Sequence, residues 1–153
     1  MSSYQIIKLA PSEFYKCSNI WDMTRQAKMA EIFLEELVNG NRITFVYVEN
    51  HQFIGECSLV FRNNDPDYTI PNKRIYLSRM IVKDDFRNRG IGSILLDYLI
   101  EFAIQLGYEE ISLGVDTNNW KAMYLYHKKG FTHELYTGKD EHGEYVKLLK
   151  KLR

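Results

Sequence analysis

Val82-Lys83-Asp84-Asp85-Phe86-Arg87-Asn88-Arg89-Gly90-Ile91-Gly92 is the stretch on which the reading of this chain turns. An apolar, β-rich run, Ile75 to Val82, leads into it, and an amphipathic run, Ile91 to Leu106, leads out. Two glycines therefore stand where a strand becomes a helix, with two arginines just before them. Low side-chain bulk at such a turn lets backbone N–H groups face outward, and the helix start adds the positive end of its dipole. A turn of this kind is suited to an anion, most often a phosphate. The P-loop of nucleotide hydrolases is excluded, because no Gly-Lys-Ser/Thr follows the glycines. The dinucleotide fingerprint fits poorly, since its third glycine would fall at Leu95.

What remains is Arg87-x-x-Gly90-x-Gly92, which resembles the acyl-CoA signature of the GNAT acetyltransferase superfamily. Alone the pattern is weak, and a glycine-assisted turn with solvated arginines would also produce it. A second block strengthens it: Asn119-Trp120-Lys121-Ala122-Met123-Tyr124-Leu125-Tyr126-His127-Lys128-Lys129-Gly130-Phe131. The same superfamily carries Asn, then Ala, then Leu-Tyr, then Gly-Phe at this spacing, and Asn119, Ala122, Leu125, Tyr126, Gly130 and Phe131 all match. The segment also makes local sense. Asn118 or Asn119 can cap a helix, Ala122, Leu125 and Tyr126 share one helical face, and Gly130 stops it before a strand begins at Phe131.

The whole chain sets the bounds. Its 153 residues suit one domain, expected to run from 1 to 153. Formal net charge is zero, so no global field recruits nucleic acid or an anionic membrane. Cys17 and Cys57 lie far apart without metal-type spacing and suggest a reduced, cytoplasmic setting. The N-terminus lacks the pattern of a signal peptide, and no apolar run approaches a membrane span. His51, His127, His133 and His142 show no metal spacing, so no metal is expected.

Along the chain, Tyr4 to Leu9 reads as a strand, and Ser12 as the cap of a short helix. Trp21 to Val38 has helical spacing, with Met29, Ile32, Phe33, Leu37 and Val38 inward. Strands follow at Ile43–Glu49, Phe53–Phe61 and Arg74–Val82, with a polar loop at Arg62–Lys73. The helix after the turn places Ile91, Ile94, Leu95, Tyr98, Leu99, Phe102, Ala103 and Leu106 inward, and Gly107 caps it. Glu110–Val115 is a strand, the Asn119 helix follows, and Phe131–Tyr136 and Tyr145–Leu149 form the last hairpin. The order β-α-α-β-β-β-α-β-α-β-β implies a mixed α/β sheet of about seven strands. It is similar to the GNAT fold, and that resemblance implies a mostly antiparallel sheet in which the parallel pair Arg74–Val82 and Glu110–Val115 splays apart at the cofactor site.

The resemblance also implies an acyl-CoA-dependent N-acetyltransferase with acetyl-CoA as co-substrate. Direct transfer to an amine needs the pyrophosphate held, the carbonyl polarised, the amine neutral and the thiolate stabilised. The amides of Asn88, Arg89, Gly90, Ile91, Gly92 and Ser93 are the pyrophosphate candidates, with Arg87 as charge support and the Ser93 hydroxyl as a contact. The Arg89 side chain reads equally as a phosphate contact or as solvated. The family places the polarising N–H at the end of the preceding strand, which maps to Met80, Ile81 and Val82. An alkylamine of pKa about 10.4 is neutral about once in 2,500 molecules at pH 7, a penalty of roughly 4.6 kcal/mol. A carboxylate base offsets it. Glu56 is the candidate, set in an apolar strand and expected on the face opposite Phe53, Cys57, Leu59 and Phe61. The competing reading turns Glu56 to solvent or to an arginine such as Arg79. Tyr126 matches the family's general acid. Full proton transfer from a phenol to a thiolate is uphill by roughly 2 kcal/mol, so a hydrogen bond is its main service. Asn119 matches a position that bonds the pantetheine or substrate amide.

The acceptor is where sequence carries least. Glu31, Glu35, Glu36, Asp65 and Asp67 favour a small cationic amine if they converge, and say nothing if they are solvated. A protein N-terminus or lysine as acceptor, a longer acyl donor, and a non-catalytic acyl-CoA-sensing module are the alternatives. Family members are often dimers, which makes a homodimer an expectation of the resemblance alone.

Overall fold

Strand-forming runs and helical periodicities resolve into seven strands and three α-helices in the computed structural model, which describes residues 3–153. In chain order these are β1 Tyr4–Lys8, α1 Ala27–Asn39, β2 Arg42–Glu49, β3 Gln52–Val60, β4 Arg74–Val82, α2 Ile91–Gln105, β5 Glu110–Asp116, α3 Trp120–Lys128, β6 His133–Asp140 and β7 Gly143–Lys151. The hydrogen-bonded order is β1-β2-β3-β4-β5-β7-β6. β1 with β2, β2 with β3, β5 with β7 and β6 with β7 pair antiparallel, and β4 with β5 pairs parallel. The mixed α/β expectation therefore holds.

The short helix expected near Ser12 is a 3-10 helix, Pro11–Asn19, with Ala10 as its cap and no side-chain capping bond. Its buried residues Phe14 and Cys17 are three apart, the spacing that a 3-10 turn eclipses onto one face. Helix α1 starts at Ala27, later than the apolar periodicity suggests. Asp22 is the reason: its carboxylate accepts from the Thr24 and Arg25 amides at 3.1 and 2.9 Å and holds the backbone in a turn. Ile32 and Val38, expected inward, are exposed. Tyr98 in α2 and Leu106 just past its end are exposed as well, and Leu96 is buried.

The chain divides into two compact units. The first runs to Val60 and includes Arg79–Leu99; the second is Phe61–Ser78 with Ile100–Arg153. Within the first, one sheet face carries Val46 and Phe53 against Leu9, Phe14, Cys17, Ile20, Trp21 and Leu37. The other face receives α2. Cys57 Sγ points to the Leu95 carbonyl at 3.7 Å, and the Phe45 and Tyr98 rings meet edge-on at 5.0 Å. A register shift between Tyr47 and Val48 skips Ile54, so that Val48 pairs with Phe53 while Tyr47 pairs with Gly55. That bulge moves Phe53 to the same face as Glu56, not the opposite one, because each extra residue reverses the alternation of the strand.

In the second unit β4 and β5 pair over Arg74↔Glu110, Ile75↔Ile111 and Tyr76↔Ser112, and the ladder stops there. The core is Ile75, Leu77, Ile111, Leu113, Phe131, Val146 and Leu148. Tyr76, Lys147 and Tyr136 belong to the alternate set of positions and carry the unit's polar and aromatic chemistry.

Candidate active site

Phosphate-type recognition begins with backbone geometry. After β4, the Lys83 amide donates to the Ile54 carbonyl at 2.8 Å and Asp84–Phe86 closes a 3-10 turn. Asn88 and Gly90 then adopt left-handed backbone, φ 65° and 78°. A Cβ at Gly90 would meet nothing within 4 Å, so the demand for glycine there is conformational, not steric. The first amide of α2 to find a helical acceptor is Ile94, bonded to the Gly90 carbonyl at 3.1 Å. Among the described residues no backbone carbonyl takes the amides of Asn88, Arg89 or Gly90. With Ile91, Gly92 and Ser93 in the first turn of α2, this is a run of outward donors at the positive end of a 15-residue helix.

The arginines split. Arg87 Nε donates to the Val82 carbonyl at 3.3 Å, its Nη2 pairs with Asp84 at 2.9 Å, and both partners are exposed. Arg89 lies 5.0 Å over the Phe86 ring and 3.9 Å from the Glu49 carboxylate. Each is therefore on hand near the loop, anchored by contacts weak enough to yield. Met80, Ile81 and Val82, the expected polarising segment, close β4 and are half-buried.

Glu56 does not face solvent. Its side chain is on the side of the first unit occupied by the Pro11–Asn19 turn and α1, and the residue is 2 % exposed. Trp21 donates its indole N–H to Glu56 Oε1. Burial pushes the Glu56 carboxyl above its ordinary range, opposed by the nearby Arg79, the Trp21 bond and Arg42. Arg79 packs its guanidinium 4.5 Å from the Trp21 ring and 5.7 Å from the Phe33 ring. Its Nη1 reaches only the Met29 thioether, at 3.5 Å. Its Nε is buried and has no hydrogen-bond partner among the described residues. Trp21 also lines an open groove of about 500 Å³ with Ser18–Thr24 and Lys83–Asp85.

In the second unit, Asn119 caps α3 by accepting from the Ala122 amide at 3.3 Å. Tyr126 is 7 % exposed, its ring edge-on to Phe131 at 5.9 Å. The α3 stop is as the sequence suggests: Gly130 has φ 99° and the Phe131 amide returns to the Tyr126 carbonyl at 3.0 Å. His127 is exposed, as are the other three histidines.

The acidic residues do not gather as free charges. Glu36 pairs with Arg42 at 3.1 Å, and Glu31 and Glu35 are exposed on α1. Asp65 and Asp67 both hold Lys147, at 2.6 and 3.1 Å. The Lys147 ammonium also sits 5.2 Å from the Tyr68 ring and 4.7 Å from the Tyr136 ring. Burial alone would lower the Lys147 pKa, but the two carboxylates outweigh it and the net shift is upward. Tyr68 stacks on Tyr76 at 4.2 Å and places its hydroxyl over Gly114, where a Cβ would stand 2.3 Å from that oxygen.

Trp21, Tyr68 and Lys147 carry no motif in the sequence. Trp21 reaches Glu56 across 35 positions and Lys147 reaches Asp65 across 82, separations that no local periodicity encodes.

Comparison with known proteins fits this geometry. A family model described as "Acetyltransferase (GNAT) family" matches residues 4–131. N-acetyltransferase 8 of Homo sapiens is 28% identical over 129 residues, which is 82% of this chain and 56% of that protein; the chain thus spans little more than half of its length. The uncharacterized N-acetyltransferase YhfO of Bacillus subtilis is 32% identical over 105 residues, 67% of each chain. A GNAT family acetyltransferase from Elizabethkingia anophelis, solved with acetyl-CoA bound, superposes with a TM-score of 0.73 at 17% identity, covering 97% of this chain and 98% of that one. At that identity the likeness speaks for the fold.

Proposed function

Because the chain belongs to the GNAT acetyltransferase family, we propose that it moves an acetyl group from acetyl-CoA directly to a primary amine of a small molecule. The observation that carries this reading is the run of donors from Asn88 to Ser93, left without backbone acceptors at the start of α2. In the proposal these amides hold the pyrophosphate, and Arg87 and Arg89 turn from Asp84 and Glu49 to add charge. The acyl arm is received where β4 and β5 stop pairing, beyond Tyr76 and Ser112.

The amine nitrogen attacks the thioester carbonyl carbon, and the oxygen takes the negative charge. A main-chain N–H of Met80, Ile81 or Val82 stabilises that oxyanion. The C–S bond then breaks. Tyr126 hydrogen-bonds the leaving thiolate, and Asn119 is the candidate for the pantetheine amide. The proton lost by the amine goes to Glu56, whose raised pKa suits it to accept. Since Glu56 is 2 % exposed, that proton travels by a relay instead of direct contact.

The preference for a cationic acceptor has lost most of its carriers, since Glu36, Asp65 and Asp67 are already paired with Arg42 and Lys147. A small amine remains the reading. Calorimetric titration with acetyl-CoA tests it. Saturable binding, abolished in Gly90→Val, where a β-branched residue resists φ 78°, is the expected result. No heat at millimolar acetyl-CoA would overturn it.

A further inference from the structure

Among the described residues of the first unit, Arg79 keeps a buried guanidinium donor without a partner. A guanidinium offers five N–H donors in a planar fork. Here one of them, Nε, is buried with nothing to donate to, and another meets only a thioether sulfur, a weak acceptor. The nearby carboxylate of Glu56 does not complete the set. Its Oε1 is taken by Trp21, and no hydrogen bond joins it to Arg79. The Trp21 and Phe33 rings instead pack against the guanidinium at 4.5 and 5.7 Å. Aromatic packing restrains the group while leaving donors to be satisfied by something else.

We propose that Arg79 anchors a carboxylate of the acceptor, so that the amine acetylated by this protein also bears a carboxylate, as an α-amino acid does. This rests on the acetyltransferase reading above and specifies its substrate class. Arginine matches a carboxylate with two parallel N–H···O bonds, which would complete the fork. A guanidinium and a carboxyl, those of half-buried Arg79 and buried Glu56, share Trp21 as a neighbour. That pairing of signs complements a molecule carrying both an ammonium and a carboxylate. A dianionic ligand is disfavoured, because the groove that Trp21 lines also carries Asp22, Asp84 and Asp85. Met29 and Phe33 supply apolar contact for the acceptor's side chain.

The test sets α-amino acids against the same amines without the carboxylate, such as L-phenylalanine against phenethylamine and L-leucine against isoamylamine. CoA release is measured for each, with acetyl-CoA affinity measured calorimetrically on the same preparations. The expected result is at least a tenfold higher kcat/KM for one or more carboxylate-bearing members over their partners. Arg79→Gln then removes that preference through KM, so that the two members of each pair converge while acetyl-CoA affinity is unchanged; a change in kcat common to both members reports the field of Arg79 at Glu56. Arg79→Lys, which keeps the charge and loses the fork, restores only part of it and guards against a folding defect in the first variant. Acetyl-CoA binding with no carboxylate preference, or an Arg79→Gln loss equal on both members of each pair, overturns the proposal alone. Absence of acetyl-CoA binding overturns the acetyltransferase reading and the proposal with it.

Discussion

Each unit of this protein buries charge, and the two do it in opposite ways. In the second, Lys147 is held by Asp65 and Asp67 and flanked by two tyrosine rings, so its charge is compensated within the chain. In the first, Glu56 and Arg79 feel each other's field without bonding, and Arg79 keeps a buried donor unpaired. The saturated cluster ties a polar loop to β7. The unsaturated one is, in the proposal above, where a ligand would complete the set. Desolvated polar groups without partners are costly, so a fold that keeps one is suited to a ligand that supplies it.

The contrast can be broken from either side. Largest is the effect expected at Glu56. Glu56→Gln keeps the shape and removes the proposed proton acceptor, so turnover should fall by about 10²-fold or more while acetyl-CoA affinity is retained. Unchanged steady-state turnover would reduce Glu56 to a packing role and make the two clusters alike. Next comes Gly114→Ala. The new methyl would collide with the Tyr68 hydroxyl, which leads us to expect a loss of about 1–3 kcal/mol in urea unfolding. Tyr68→Phe should recover much of that loss, because the hydroxyl is the nearest atom. Failure of the double variant to recover would show that the ring, not the oxygen, sets the limit. Smaller again is Lys147→Met. Its carboxylate partners are 32% and 39% exposed and can return to water, so a loss of about 1 kcal/mol is expected from the unfolding midpoint.

The smallest effect is in pH dependence, and there the clusters should differ in sign. Burial raises the folded pKa of Glu56, so its contribution to stability is full at low pH and is lost as pH rises from the ordinary carboxylate range to the raised value. The Lys147 bond lowers that of Asp65, so its contribution is present above the ordinary range and is lost as pH falls through the depressed value. Unfolding free energies across acid pH should show Glu56→Gln flattening the first slope and Asp65→Asn the second. Parallel changes in both variants would contradict the assigned directions.

Much of the fold was legible because its signals are local. The Gly90 turn, the Asn119 cap and the Gly130 stop each depend on neighbours a few residues away, and each appears where the motif suggests. The Phe53 face was misjudged because a bulge leaves no mark in the hydrophobic alternation. The beginning of α1 was misjudged because the Asp22 turn competes with helix formation over residues whose apolar spacing looks helical. At the site, the donor loop was readable as a motif. The surroundings of Glu56 were half-readable: Arg79 could be named as a neighbour, but Trp21 could not. Nothing in the sequence showed that Asp65 and Asp67 are occupied by Lys147, since charge counts do not reveal pairing across 80 residues.

The short ladder between β4 and β5 has a consequence for isotope exchange. Along β5, successive amides point alternately to its two neighbours, and pairing with β7 continues to Asp116 while that with β4 ends at Ser112. From Leu113 onward, amides directed at β7 should exchange with heavy water slowly and those directed at β4 quickly. A single strand would then record its deuterium in an every-other-residue pattern, and a molecule lodged beside it would be seen as the fast half slowing.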